Sequence, residues 1–116
     1  MDWRIPYCAG LLDGEGHVVV KRYQTRKGSI CFQPWISVSM TDCDAIVFLS
    51  NVFGVGSICE PRWERTTLGH KKQWRWTTVS HGAFQVARLI RPYVITKQAG
   101  VEAILAFYGV KEGAQA

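Results

Sequence analysis

The sequence predicts an α+β fold in which one four-stranded antiparallel sheet carries helices on one of its faces. Apolar and polar residues alternate with period two over 30–40 and again over 72–80, which indicates half-buried strands. Apolar residues recur at helical spacing over 44–53, which indicates an amphipathic helix between the two strand pairs. With 116 residues in the chain, we predict one domain over 1–108 and a short, frayed C-terminal tail over 109–116.

The first helix and the first two strands follow from local signals. Asp2 can cap a helix, and Pro6 fits its first turn, where a missing N–H costs nothing. That helix is predicted to run to about Asp13. The β-branched segment 17–25 predicts the first strand, and a turn with a flexible glycine at Gly28 leads into the alternating segment that forms the second.

The second half of the chain repeats this order. Thr41 or Asp42 is placed to cap the second helix, and glycines stop it after residue 53. The predicted elements are a helix over 44–53, strands over 57–63 and 72–80, and helices over 82–90 and 97–108. The complete order is therefore αββαββα(α), with a charged loop between the last two strands.

Charge and cysteine usage narrow the classes of function. The formal net charge is +5, which suits a polyanionic partner such as nucleic acid. The four cysteines form no CxxC pair and no zinc spacing, so reduced thiols in an intracellular protein are predicted. The sequence contains no run of about 18 apolar residues, so we predict no membrane span. The acidic residues near the N-terminus argue against a signal peptide.

Residues 8–16 read Cys-Ala-Gly-Leu-Leu-Asp-Gly-Glu-Gly and carry the most specific signal in the chain. Ala9 and Gly10 are small, so this face of the first helix can approach a neighbour closely. Asp13 and Glu15 alternate with glycines near the helix C-terminus, where the helix dipole disfavours an anion. A divalent cation would relieve that conflict, because Mg²⁺ binds one or two carboxylates together with water and phosphate.

This run resembles the LAGLIDADG motif of homing endonucleases, in the variant that ends Asp-Gly-Glu-Gly. Cys8 replaces the usual Leu and Leu12 the usual Ile, and both are apolar substitutions. The order of elements agrees with the αββαββα half-unit of that family along almost the whole chain. The resemblance extends to Phe-Gly-Val-Gly-Ser at 53–57, and to 91–99, where the family often has Pro-Tyr and a lysine before its last helix.

The resemblance implies a magnesium-dependent DNA endonuclease that makes staggered double-strand cuts at a long, roughly palindromic site. It implies that Glu15 and Lys97 are catalytic and that Glu15 and Gly14 hold the Mg²⁺. A chain with one motif copy is implied to act as a homodimer on double-stranded DNA, encoded by an intron or a free-standing mobile element. The implied location is a bacterial or phage-infected cytoplasm, or an organelle. The implied dimer contact is formed by Pro6, Ala9, Gly10 and Asp13.

One face of the predicted sheet is polar and aromatic, and strand parity places Glu15 at its end. A solvated face is the plain interpretation of that pattern. The resemblance favours a DNA-reading face instead, since Arg can read guanine, Gln can read adenine, and a strand ribbon fits the major groove. Arg22, Lys71 and Lys72 are candidate phosphate contacts. The predicted DNA-binding residues are His17, Val19, Lys21, Tyr23, Thr25, Gln33, Trp35, Ser37, Ser39, Gln73, Arg75 and Thr77.

One position departs from the family pattern. Many members carry a Gln or Lys that orders water at the end of the second strand, where this chain has Met40. Either Ser39 or Thr41 takes that task, or catalysis is reduced. A non-cleaving relative, such as an RNA-splicing maturase or a regulator, is therefore one alternative, and RNA would then be a partner. A basic domain without a nucleic-acid role is the other.

Overall fold

A computed structural model describes residues 2–60 and 73–109 and shows a four-stranded antiparallel sheet with helices against one face. The spatial order of the strands is β1-β2-β4-β3, so the two hairpin-like halves join through β2 and β4. This confirms the predicted fold class. The helices are α1 Arg4–Glu15, α2 Cys43–Phe53, α3 Ser80–Ile90 and α4 Gln98–Phe107, and the strands are β1 Gly16–Gln24, β2 Ile30–Met40, β3 Ser57–Cys59 and β4 Trp74–Val79.

The core lies between the helices and the even-numbered residues of the sheet. Val18, Ile36, Val38 and Trp76 are buried on that face, as the alternation predicts. The Trp76 indole Nε1–H donates to the carbonyl oxygen of Val55 at 3.0 Å, which satisfies the one polar group that this large side chain brings into the core. The helices contribute Cys8, Ala9, Leu12, Ile46, Leu49, Phe53, Ala83, Val86, Ala87, Ile90, Val101, Ile104 and Leu105.

The helix starts are formed partly as the sequence predicts. Asp42 is the N-cap of α2 and accepts hydrogen bonds from the backbone N–H groups of Asp44 and Ala45. Trp3, rather than Asp2, holds the N-cap position of α1. The Asp2 carboxylate still accepts the Arg4 backbone N–H at 3.0 Å, so it satisfies a free donor in the first turn.

The first helix is longer than predicted and passes directly into β1. Glu15 is its last residue and Gly16 is the first residue of the strand, so the helix extends two residues beyond the predicted end at about Asp13. A Cβ at Gly16 would lie 2.8 Å from the Leu12 carbonyl oxygen, so only glycine permits this sharp change of direction. The junction therefore fixes where Glu15 stands relative to the sheet.

The last helix lies close to the first strand. A Cβ at Gly100 would overlap the Val18 carbonyl oxygen, so the missing side chain lets α4 contact the β1 backbone. Arg91 Nε lies 2.8 Å from Glu102 Oε2, which ties the end of α3 to α4. Among the helices of residues 2–60 and 73–109, none is long and apolar enough to span a membrane.

Asp13 connects the end of α1 to the segment before α4. Its Oδ1 accepts hydrogen bonds from the backbone N–H of Ile95 at 3.0 Å, the Thr96 hydroxyl at 2.9 Å and the backbone N–H of Lys97 at 2.9 Å. Partial desolvation raises the pKa of Asp13. The hydrogen bonds from Lys97, Thr96 and Ile95 outweigh it, so the net pKa lies below the ordinary value. Asp13 is a structural residue that holds the 95–97 segment in place.

We expect Asp13→Asn to destabilise the chain at neutral pH and to lose that effect in acid. A carboxyl with a depressed folded-state pKa contributes stability above its ordinary pKa of 3.8, and this contribution is lost as pH falls through the lower folded value. Urea unfolding of wild type and variant, followed by tryptophan fluorescence, should give a constant difference near neutrality that shrinks below about pH 4. Asp44→Asn removes an exposed acid as a control. A difference that stays unchanged in acid would contradict this role.

Candidate active site and nucleic-acid interface

The two motif carboxylates lie in different environments. Asp13 points toward the N-terminal end of α4, whose dipole favours an anion and offsets the unfavourable end of α1. Glu15 ends α1, is exposed, and receives no hydrogen bond from the residues that the structure describes. Glu15 is therefore the more exposed of the two acids, and its carboxylate is not engaged by the described residues.

The donor set at Glu15 fits one part of a magnesium site. Within 2–60 and 73–109, no three His, Cys, Asp or Glu residues cluster as metal ligands. One chain offers the Glu15 carboxylate and the Gly14 carbonyl, which belongs to the last turn of α1. Mg²⁺ is commonly held by one or two carboxylates while substrate phosphates and water fill the other positions. These residues therefore fit a metal that is completed by a phosphate ligand.

Lys97 lies at the same end of the molecule. It is half-buried at the N-cap of α4, and its Nζ donates to the Asp13 carbonyl oxygen at 3.2 Å. Because Asp13 lies two residues before Glu15 in the same helix, the fold brings Lys97 and the exposed carboxylate to one end of α1. The sequence did not indicate the contact between Lys97 and Asp13, because the two residues lie 84 positions apart.

The odd-numbered strand residues share the sheet face opposite the helices. Antiparallel pairing aligns them across β1, β2, β4 and β3, and Glu15 precedes the first of them. Gln73 is exposed immediately before β4. We name this surface the open face. Its cross-strand neighbours are His17–Ser37–Thr77–Ser57, Val19–Trp35–Val79, Lys21–Gln33, Tyr23–Cys31 and Ser39–Arg75–Cys59.

Trp35 contacts two neighbouring side chains of the open face. The Lys21 ammonium lies 3.5 Å from the centroid of its ring, and its indole Nε1–H donates to the Ser37 hydroxyl at 3.1 Å. The indole is consequently half-buried. Lys21 is exposed, so its charge stays accessible while it contacts the Trp35 ring.

Two other predicted contacts also have partners inside the chain. Arg75 Nε–H donates to the Ser39 hydroxyl at 3.2 Å across the β2–β4 pair. The Thr25 hydroxyl accepts the Ser29 backbone N–H at 3.1 Å, so this residue closes the β1–β2 hairpin. Thr25 therefore has a structural task, whereas Arg75 remains exposed.

The sequence did not identify the contribution of β3 to the open face. Ser57 and Cys59 are both exposed and pair with Thr77 and Arg75. The segment was predicted as a strand, but nothing local specifies its pairing partner or register. The parity of Thr77 and Arg75 would have assigned these residues to the face once that partner was known.

Of the four residues predicted to form the dimer contact, only Gly10 lies on the exposed side of α1. Trp3, Tyr7, Gly10 and Gly14 form its exposed stripe, at spacings of three and four residues. Pro6 and Asp13 are half-buried at its margins. Ala9 is fully buried in the core of this chain, so it has no surface to offer a second copy, and its predicted place in the dimer contact is wrong.

The remaining candidates divide by position. Arg22 is exposed but lies on the even-numbered, helix-bearing face, whereas Lys71 and Lys72 fall outside the described residues. Met40 packs against the core. Of the two residues proposed to replace it in ordering water, Ser39 already accepts a hydrogen bond from Arg75 and Thr41 is exposed.

Comparison with known proteins gives matches in structure alone. No protein-family model matches the chain, and no curated protein matches its sequence. The homing endonuclease I-CvuI, in complex with the I-CreI target in the presence of magnesium, is 14% identical and has a TM-score of 0.72 over 90% of this chain and 64% of that one. This chain thus spans slightly less than two thirds of I-CvuI.

Two further solved structures have the same fold as this chain. The group I intron-encoded homing endonuclease I-CeuI, complexed with DNA, is 18% identical and has a TM-score of 0.66 over 91% of this chain and 54% of that one. The LAGLIDADG homing endonuclease I-LtrWI, bound to target DNA, is 17% identical and has a TM-score of 0.67 over 88% of this chain and 35% of that one. The resemblance first carried by residues 8–16 is thereby confirmed as a likeness of structure, and the chain has the fold of the LAGLIDADG homing endonucleases.

Proposed function

We propose that this protein is a sequence-specific DNA endonuclease of the homing type. It acts as a homodimer and makes magnesium-dependent, staggered double-strand cuts at a long, roughly palindromic site. The observation that carries the proposal is the exposed Glu15 carboxylate, which receives no hydrogen bond from the described residues and stands at the end of a polar sheet face. An intron or a free-standing mobile element would encode such an enzyme, which would work inside the cell.

The open face is the proposed DNA-binding surface. It presents Lys21 and Arg75 as cations, with Gln33 and Gln73 as amides, in a chain with a formal net charge of +5. Cations hold the phosphate backbone, while Arg and Gln side chains have the donor patterns that distinguish guanine and adenine edges. A twisted antiparallel ribbon also fits the width of the major groove, so strands β1 and β2 can follow it.

The catalytic end is proposed to act on one phosphodiester per chain. Glu15 and Gly14 would hold Mg²⁺, and a bound Mg²⁺ would supply Lewis-acid chemistry for phosphodiester hydrolysis. Lys97 would place its ammonium beside the developing phosphate charge, and Asp13 holds it there through the 3.2 Å contact to Nζ. A second copy, related by two-fold symmetry, would place the same residues at the other DNA strand.

The alternative is a nucleic-acid-binding relative that does not cut, such as an RNA-splicing maturase or a regulator. Met40 favours it, because this side chain packs into the core at the position where many family members order water. The exposed Thr41 hydroxyl favours cleavage, since it can take up that task. The two proposals differ in whether magnesium produces strand breaks in bound DNA.

We expect Glu15→Gln to abolish magnesium-dependent cleavage while DNA affinity changes by less than about tenfold, or 1.4 kcal/mol. The amide keeps the shape of the side chain and removes the charge that holds the metal. Filter binding and cleavage of a DNA duplex selected from a random pool measure the two effects. Asp44→Asn, which removes one exposed charge from α2, should preserve both. Cleavage by Glu15→Gln at the wild-type rate would refute the metal role.

We expect Gly10→Leu to weaken the homodimer without unfolding the chain. A Cβ at Gly10 has no atom within 4 Å, so the monomer has room for it. A leucine would separate helices that pack closely, and overpacking of this kind typically costs about 1–3 kcal/mol. Sedimentation should show the shift toward monomer, whereas Ala103→Leu on the exposed side of α4 should not cause it. A wild-type chain that stays monomeric at micromolar concentration, with and without DNA, would exclude this contact.

We expect DNA to protect Cys59 from alkylation by iodoacetamide. Cys59 is exposed beside Arg75 on the open face, whereas Cys43 is half-buried in α2 and serves as an internal control. Burial raises the pKa of Cys8 to about 11, so its thiol should react neither with nor without DNA. Mass spectrometry of the labelled peptides separates these sites. Equal slowing at Cys43 and Cys59 would argue against binding through the open face.

A further inference from the structure

Arg75 lies on the open face near the end where Glu15 stands, with the Ser39 hydroxyl on one side and the Cys59 thiol on the other. Its strand β4 pairs with β2 at Ser39 and with β3 at Cys59. The guanidinium contacts Ser39, because Arg75 Nε–H donates to the Ser39 hydroxyl oxygen at 3.2 Å. Among the described residues, no group accepts a hydrogen bond from its two terminal nitrogens. Within residues 2–60 and 73–109, the long side chain is thus anchored at Nε alone.

This anchoring limits how Arg75 can read a base. A guanidinium can meet the O6 and N7 acceptors of guanine side-on, through Nε and one terminal nitrogen, or end-on, through both terminal nitrogens. Ser39 already occupies Nε–H, so the side-on mode would require this hydrogen bond to break. The end-on mode keeps it. Because the anchor restricts rotamers before DNA arrives, less side-chain entropy is lost on binding.

We propose that Ser39 is a positioning residue that fixes Arg75 for end-on reading of one guanine in each half-site. The proposal rests on the proposed function, and it assigns Ser39 to specificity rather than to a direct contact with DNA or to ordering of water. Ser39 is half-buried and its hydroxyl accepts the Arg75 Nε–H, so it can act on DNA through the guanidinium that it holds.

The test is site selection from a random duplex pool with a matched pair at position 39. Ser39→Thr keeps the hydroxyl, while Ser39→Val has nearly the same shape as threonine and lacks it. Arg75→Ala should erase the guanine preference at one position per half-site. Since a neutral hydrogen bond contributes modestly, Ser39→Val should weaken that same preference by roughly threefold to tenfold. Ser39→Thr should retain it.

The combined variants separate positioning from direct contact. In the Arg75→Ala background, Ser39→Val should change nothing further, because no guanidinium remains to be held. Arg75→Lys keeps the charge without the planar fork, so it should lose the preference and retain most affinity for random DNA. Ser50→Ala removes a hydroxyl from α2, away from the open face, and should leave the whole profile unchanged. Thermal unfolding confirms that each variant is folded.

Four outcomes would overturn the proposal. A wild-type preference profile in Ser39→Val, with Arg75→Ala still effective, removes the positioning role and leaves the proposed function intact. An effect of Ser39→Val that persists in the Arg75→Ala background shows direct contact with DNA by Ser39 instead. If Arg75→Ala weakens binding to all sequences equally, the guanidinium contacts the phosphate backbone rather than a base. If the wild-type chain enriches no sequence at all, the proposed function fails together with this inference.

Discussion

The hydrogen bonds of the Asp13 carboxylate are the interaction on which the candidate active site depends. One side-chain oxygen receives two backbone N–H groups and a hydroxyl from residues 95–97, and the carbonyl of the same residue accepts from Thr96 and Lys97. These contacts fasten the entry to α4 against the end of α1. They also place an anion where the dipole of α4 stabilises it, which compensates for its unfavourable place in α1.

The tight α1–β1 junction gives Glu15 the opposite role. Since Gly16 turns the chain without a loop, the last helical residue stands at the rim of the sheet and its carboxylate faces solvent. Two acids separated by one glycine therefore do different work. One carboxylate is held through Oδ1 by three donors of the chain and is structural, and the other accepts no hydrogen bond from the described residues.

Preorganisation is the second theme of the structure. Two cations of the open face are each held by a neighbour, Lys21 by the Trp35 ring and Arg75 by the Ser39 hydroxyl. Side chains that are already restricted lose less entropy when they bind, which favours sequence discrimination over simple charge attraction. In the proposed enzyme, the open face would select the sequence and the end of α1 would cut it.

The sequence by itself determined the fold class, the order of elements and the two faces of the sheet. Period-two and helical patterns report which side chains are buried, and burial dominates folding, so Val18, Ile36 and Trp76 could be assigned to the core from local sequence. The motif also singled out Glu15 and Lys97, through resemblance.

Local sequence patterns carry no information about contacts between distant segments. The bond from Lys97 to Asp13, the burial of Ala9, the pairing of β3 with β4 and the anchoring of Arg75 by Ser39 each join residues from different elements. Only the tertiary structure decided these features, because side-chain partners are chosen by packing and register after the elements have formed.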